Sequence, residues 1–188
     1  MDAHDPAGEA RALVAEVDLA LVEHHAALPC QHGLPADAQV DADELAFTDS
    51  TTMGLGLLYS GMKLKPGQEI LTDTRDHIVT TLAAQEGAER AGASVRQAAF
   101  YADPAKVSVD EVVNNVRRNL RDNTRLVAMT WVHSGTGVKM PVSQVAEVVR
   151  AHNRGKSAEE RTLLAVDGVH GFGIEDVAIP ALGADFFV

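Results

Sequence analysis

A chain of 188 residues with a formal net charge of −11 is long enough for one domain with a full core and too short for two large ones. The acidic balance excludes nucleic acid and anionic membrane as main partners; no apolar run reaches membrane-span length, and no basic start with an apolar stretch marks an export signal. The single cysteine, Cys30, excludes an internal disulfide framework and agrees with a reducing, cytoplasmic setting.

Residues 1–28 begin polar and continue as an amphipathic helix with Leu13, Val17, Leu21 and Leu28 on one face, stopped by Pro29. His24, His25 and His32 do not read as a metal site. Adjacent histidines leave a helix on different sides, and no cysteine or carboxylate joins them at ligand spacing. Cys30 to Asp43, rich in Pro, Gly, Ala and Asp, reads as a linker.

Leu45 to Thr48 reads as a short strand, followed by Asp49, Ser50, Thr51 and Thr52 and then an apolar helix from Met53 to about Tyr59. Hydroxyl residues opening a helix make an anion site, because free N–H groups and the positive helix end converge there. Plain N-capping by Ser50 or Thr51 is the simpler alternative, although two threonines and a serine exceed what a cap needs. After a turn at Lys65–Gln68, Glu69 to Asp73 is a strand, and Asp76 to about Glu89 is a helix ending near Gly92. His77 stands at the start of that helix.

Ser94 to Ala99 is a third strand. Ser108-Val109-Asp110-Glu111 forms a capping box before a helix with Val112, Val116 and Leu120 on its apolar face. Arg117, Arg118 and Arg121 give that helix a solvated side. Arg125 to Trp131 is a further strand and runs into Val132-His133-Ser134-Gly135-Thr136-Gly137. This loop is either an ordinary strand–helix connection or a place where glycines let backbone approach a ligand. Pro141 opens a helix with Val142, Val145 and Val149 inward, and a polar loop covers Asn153 to Glu160.

Thr162 to His170 organises the rest. Leu163 to Val166 is a strand buried on both faces, and it ends on a carboxylate, Asp167, followed by Gly168 and His170. Asp167 either caps the next turn or faces a ligand at the carboxyl end of the sheet. Pro180-Ala181-Leu182 is a helical turn, and Asp185 to Val188 begins one more strand.

Strand–helix alternation predicts an α/β fold: a three-layer α/β/α domain with a mostly parallel, doubly wound sheet and right-handed crossovers. Every strand then points its carboxyl end to one edge, which gathers Ser50, Thr51, Thr52, His77, Ser134, Thr136, Asp167 and His170. Hydroxyls at a helix start suit a phosphate, an imidazole covers a flat ring, and a buried carboxylate holds a proton on a basic ring nitrogen. A phosphorylated pyridine with an acid partner describes pyridoxal phosphate (PLP). A dinucleotide binder is disfavoured, since no G-x-G-x-x-G follows the first strand.

The motifs F-T-D-S-T-T-M-G-L-G (Phe47–Gly56), T-W-V-H-S-G-T-G-V-K (Thr130–Lys139), V-D-G-V-H (Val166–His170) and L-G-A-D-F-F-V (Leu182–Val188) occur in that order. Over Ala42 to Val188 the chain resembles the class V aminotransferase family of fold type I PLP-dependent enzymes, in the branch of isopenicillin N epimerase-like proteins and cysteine desulfurases. The resemblance implies that residues 42–188 are part of a PLP-binding large domain, with 1–41 a poorly matching helix and linker. It implies that Thr51 and Thr52 bind the cofactor phosphate, His77 covers the ring, Asp167 pairs with the ring nitrogen and His170 approaches the phenolic oxygen. Ser134 stands where relatives carry Asn or Ser. His77, Asp167 and His170 are the expected catalytic residues, acting at the α-carbon of an amino acid in aminotransferase, epimerase or C–S lyase/desulfurase chemistry. A homodimer is implied as well.

The family's Schiff-base lysine follows the A-D-F-F-V strand by a few residues, and none of Lys63, Lys65, Lys106, Lys139 or Lys156 stands at an equivalent place. The chain is therefore expected to be a fragment or truncated product, inactive alone. The alternative is a lysine-less binding or assembly module.

Overall fold

The computed structural model describes residues 44–188. The expected helix before Pro29, the linker Cys30–Asp43 and His24, His25 and His32 lie outside the described residues.

Five strands, β1 (Glu69–Asp73), β2 (Ser94–Ala98), β3 (Thr124–Thr130), β4 (Leu163–Asp167) and β5 (Phe186–Phe187), form one sheet in the order β2-β1-β3-β4-β5. All neighbouring pairs are parallel. Strands β1, β3 and β4 are buried along their whole length, as a sheet covered on both faces requires. Helices α1 (Thr51–Gly61) and α2 (Ile78–Arg90) cover one face, where Leu55, Leu58 and Tyr59 pack on Ile70, Leu126, Ala128, Leu163 and Ala165. Helices α3 (Val109–Asn119), α4 (Val142–His152) and the single turn α5 (Ile179–Leu182) cover the other, over Leu71, Val127, Met129, Leu164 and Val166.

The connection β1–α2–β2 moves one way across the sheet and uses the first face. The connections through α3, α4 and α5 move the other way and use the second. Direction and face reverse together, as a constant crossover hand demands. The reversal lies between β1 and β3, and the carboxyl ends there form the topological switch point at which such sheets bind ligands.

At the opposite sheet edge, the buried Glu69 accepts hydrogen bonds from Arg96 Nη2 (2.6 Å) and Nε (3.0 Å) and from Thr124 Oγ1 (2.6 Å), and meets Arg121 Nη1 at 3.4 Å. Burial alone raises a carboxyl pKa, but the donors from Arg96 and Thr124 outweigh it and hold Glu69 below its ordinary range. Glu69 thus ties β1, β2 and β3 together at their starts.

Several expectations are corrected. Leu45–Thr48 is not a strand: it has no ladder partner among the described residues and Phe47 is 47% exposed. Thr48 instead donates its hydroxyl to the Ser50 carbonyl (3.0 Å), turning the chain into α1 two residues earlier than expected. Helix α2 starts at Ile78 rather than Asp76, because Asp73–Asp76 closes as a turn with Asp76 N–H on the Asp73 carbonyl (3.2 Å). The capping box of α3 is half formed. Ser108 Oγ accepts from Glu111 N–H (3.2 Å), but the Glu111 carboxylate accepts from Ala102 N–H (2.9 Å). Arg121 lies beyond the end of α3; its side chain stays 60% exposed while its guanidinium reaches Glu69 at 3.4 Å.

Candidate functional site

A cleft of about 140 Å³ opens at the carboxyl edge of the sheet and is lined by Thr51, Thr52, His77, Ser134, Asp167 and His170, with Leu55, Val79, Thr130 and Val169 between them. Six of the eight polar residues that the sequence gathers at this edge therefore line one cleft. A volume below the roughly 300–1,000 Å³ of a typical ligand pocket makes this a floor and rim rather than an enclosure. Thr136 does not join it; its hydroxyl meets Tyr101 Oη (3.1 Å).

Ser50 is the N-cap of α1, its Oγ accepting from Met53 N–H at 3.1 Å. Thr51 and Thr52 occupy the first turn, where backbone N–H groups have no partner within the helix and the helix dipole is positive. The hydroxyls are thus divided among neighbours: Ser50 caps, and the two threonines line the cleft.

His77 is the N-cap of α2, with Nδ1 accepting from Val79 N–H at 3.4 Å, and its ring is exposed at the rim. The side chain of Asp76, beside it, is buried. Its carboxylate accepts from Thr72 Oγ1, from Asp73 N–H (3.1 Å) and from Thr130 N–H (2.9 Å), and lies 3.5 Å from His133 Nε2. One side chain thus closes the switch point between β1 and β3.

Ser134 sits on a hairpin-like loop held by His133 N–H on Val138 O (3.0 Å) and Met140 N–H on Trp131 O (2.7 Å). Gly137 turns it with φ 70°. The buried His133 anchors the loop from below, its Nδ1 2.8 Å from Tyr101 Oη.

Asp167 is 6% exposed. Oδ1 accepts from Val169 N–H (3.2 Å) and Oδ2 from Thr80 Oγ1 (3.5 Å), neither donor being charged. Burial first, and the nearby Asp76 carboxylate after it, push the Asp167 carboxyl above its ordinary value, against the Val169 hydrogen bond and the His77 ring, which lower it. Such a carboxylate suits a cationic partner that arrives with the ligand. Gly168 follows because nothing larger fits: a Cβ there would lie 1.9 Å from Phe187 Cζ. Gly171 is likewise pressed on Trp131, whose ring would meet a Cβ at 2.2 Å. These contacts fold the chain back and bring His170 to the rim.

Sequence reasoning did not single out Asp76, Thr80 or Thr130. Asp76 adjoins His77 and Thr80 lies one turn into the same helix, so spacing from His77 was the available signal. Among the described residues no group of three or more His, Cys, Asp or Glu is placed to hold a metal ion, and no helix is long and apolar enough to cross a membrane.

A parallel α/β domain whose carboxyl-edge cleft brings a hydroxyl-bearing helix start and a buried carboxylate, Asp167, together defines a class by its architecture. Comparison with known proteins narrows it. The chain belongs to the family Aminotransferase class-V, whose family model matches residues 37–188. It is 26% identical over 148 residues to a probable cysteine desulfurase of Halalkalibacterium halodurans, covering 77% of this chain and 33% of that protein. It is 29% identical over 147 residues to the isopenicillin N epimerase of Amycolatopsis lactamdurans, covering 77% and 35%. The chain thus spans about a third of the length of these curated relatives. A solved structure of a C-DES mutant with glycine covalently linked to its PLP cofactor superposes with a TM-score of 0.69 at 22% identity, covering 98% of this chain and 44% of that one. At that identity the likeness is one of fold.

Proposed function

We propose that this chain is the cofactor-binding portion of a PLP-dependent enzyme acting at the α-carbon of an amino acid, with aminotransferase, epimerase or C–S lyase/desulfurase chemistry. The observation that carries it is the single cleft joining Thr51, Thr52, His77, Ser134, Asp167 and His170. The donor set fits the cofactor. Asp167 is a buried carboxylate with only neutral hydrogen-bond donors, and the α1 start offers hydroxyls and N–H groups to a dianion.

Bound PLP supplies an electron sink for reactions at the α-carbon. The protein's part is to hold and polarise it. Thr51 and Thr52 with the α1 N-terminus bind the phosphate, and His77 covers one face of the ring. Asp167 holds a proton between its carboxylate and the ring nitrogen; its ionised form, costly when buried alone, is stabilised by the cation it meets. Ser134 and His170 take the phenolic-oxygen side. A homodimer in the cytoplasm belongs to the same reading and rests on family likeness.

Titrating the chain with PLP, pyridoxal and NAD while following cofactor absorbance and Trp131 fluorescence tests the proposal. PLP is expected to bind, pyridoxal to bind more weakly for lack of the phosphate, and Asp167→Ala to weaken both. Binding of NAD without a response to PLP overturns the reading.

A further inference from the structure

Helix α2 presents two side chains to the cleft region from one turn of backbone. His77, its N-cap, lines the rim. Thr80, three residues on, is fully buried and turns its hydroxyl to Asp167 Oδ2 at 3.5 Å. The other carboxylate oxygen is held by its own chain, through Val169 N–H at 3.2 Å. Among the described residues Thr80 is the side-chain donor to Asp167. It joins the helix that carries the imidazole to the strand that carries the acid.

We propose that Thr80 is a positioning residue for the cofactor: its hydroxyl fixes the plane of the Asp167 carboxylate and favours its ionised form, so that the acid meets the ring nitrogen in one orientation. The inference rests on the PLP reading above. The geometry asks for such a group. Asp167 sits at the end of a strand, and a carboxylate held at Oδ1 alone is free to turn about χ2, the broad torsion of an aspartate. A hydrogen bond to an ionised acceptor is worth more than one between neutral groups, so the Thr80 bond gains strength when Asp167 is charged. Thr80 is a buried residue of α2, and valine matches threonine in shape while lacking the hydroxyl, so the exchange removes the donor and keeps the volume. The charged and titratable groups around Asp167 include Asp76 from the β1–α2 turn, His77 from α2 and His170, which lines the same cleft, and its own charge in turn acts on Tyr59 of α1. All are retained when Thr80 alone is changed.

The test compares wild type, Thr80→Val and Thr80→Ser over pH 5 to pH 9. PLP affinity is read by cofactor absorbance, and the melting temperature of the cofactor-free protein is read beside it. Valine removes the donor and is expected to weaken PLP binding about fivefold and to move the acid limb of the binding profile to higher pH, because Asp167 loses a bond that favours its charged form. Serine keeps the donor and is expected to restore both. A side chain that only fills space would shift the melting temperature and leave the pH profile where it was. Equal affinity and profile in wild type and Thr80→Val overturns the inference, as does a serine variant that behaves like valine. Absence of PLP binding by wild type overturns instead the cofactor reading on which it stands.

Discussion

The backbone N–H of Thr130, at the end of β3, donates to Asp76 Oδ1 at 2.9 Å. Asp76 also accepts from Thr72 Oγ1 and Asp73 N–H at the end of β1, so one carboxylate closes the gap where the direction of chain winding reverses. Asp76→Ala strands these donors in a buried place. A loss of about 3 kcal/mol of stability is expected from charge-assisted bonds of this kind, measured by urea denaturation. A loss below about 1 kcal/mol would show that water replaces the carboxylate without cost.

Thr130 itself behaves oppositely. Its hydroxyl is buried with no partner among the described residues, and an unpaired buried hydroxyl is destabilising. Thr130→Val is therefore expected to leave stability unchanged or raise it by about 1 kcal/mol. A clear fall in the melting temperature of the cofactor-free protein would reveal a partner for that oxygen.

Asp167 sets a pH dependence whose sign is fixed by its raised pKa. The native state binds this proton more tightly than the unfolded chain does, so the contribution is largest below the unfolded value of about 3.9. It is lost as pH rises through the higher, folded pKa. Asp167→Asn keeps an acceptor for Val169 and a donor for the Thr80 oxygen, and removes the buried charge. Without cofactor, the variant is expected to melt higher than wild type at neutral pH and to converge with it in acid, while PLP no longer stabilises it. Asp73, raised likewise by burial, leaves a residual slope in the same direction. A neutral-pH melting temperature below that of wild type contradicts this account.

Helix propensity favours alanine over glycine by about 1 kcal/mol in a helix interior, yet Gly87→Ala is expected to destabilise. A Cβ at Gly87 in α2 would lie 2.3 Å from the Tyr59 carbonyl oxygen of α1, and backbone does not yield as a side-chain tip does. Overpacking of this kind costs about 1–3 kcal/mol. Because α1 and α2 carry Thr51, Thr52 and His77, PLP affinity is expected to fall with stability in a calorimetric and binding comparison. A variant as stable as wild type would mean that the two helices separate freely.

The central strands were legible because their burial is continuous. Leu126 to Met129 and Leu163 to Val166 read as apolar runs because both faces of their strands are covered. Leu45 to Thr48 has the same local composition and is no strand, since pairing depends on a neighbour that composition does not reveal. Thr51, Thr52, His77, Ser134, Asp167 and His170 were legible because each follows a strand or opens a helix, and a parallel sheet carries all such positions to one edge.

By itself, then, the sequence determined the strand–helix alternation and the edge at which the polar residues collect, since these follow from periodicity and from the common direction of parallel strands. Only the tertiary structure decided that Asp76 bridges β1 and β3, that Thr80 reaches Asp167 across the α2–β4 interface and that Thr136 turns to Tyr101. Those contacts join residues as much as 87 positions apart. They depend on distances of a few tenths of an ångström, which no local pattern along the chain encodes.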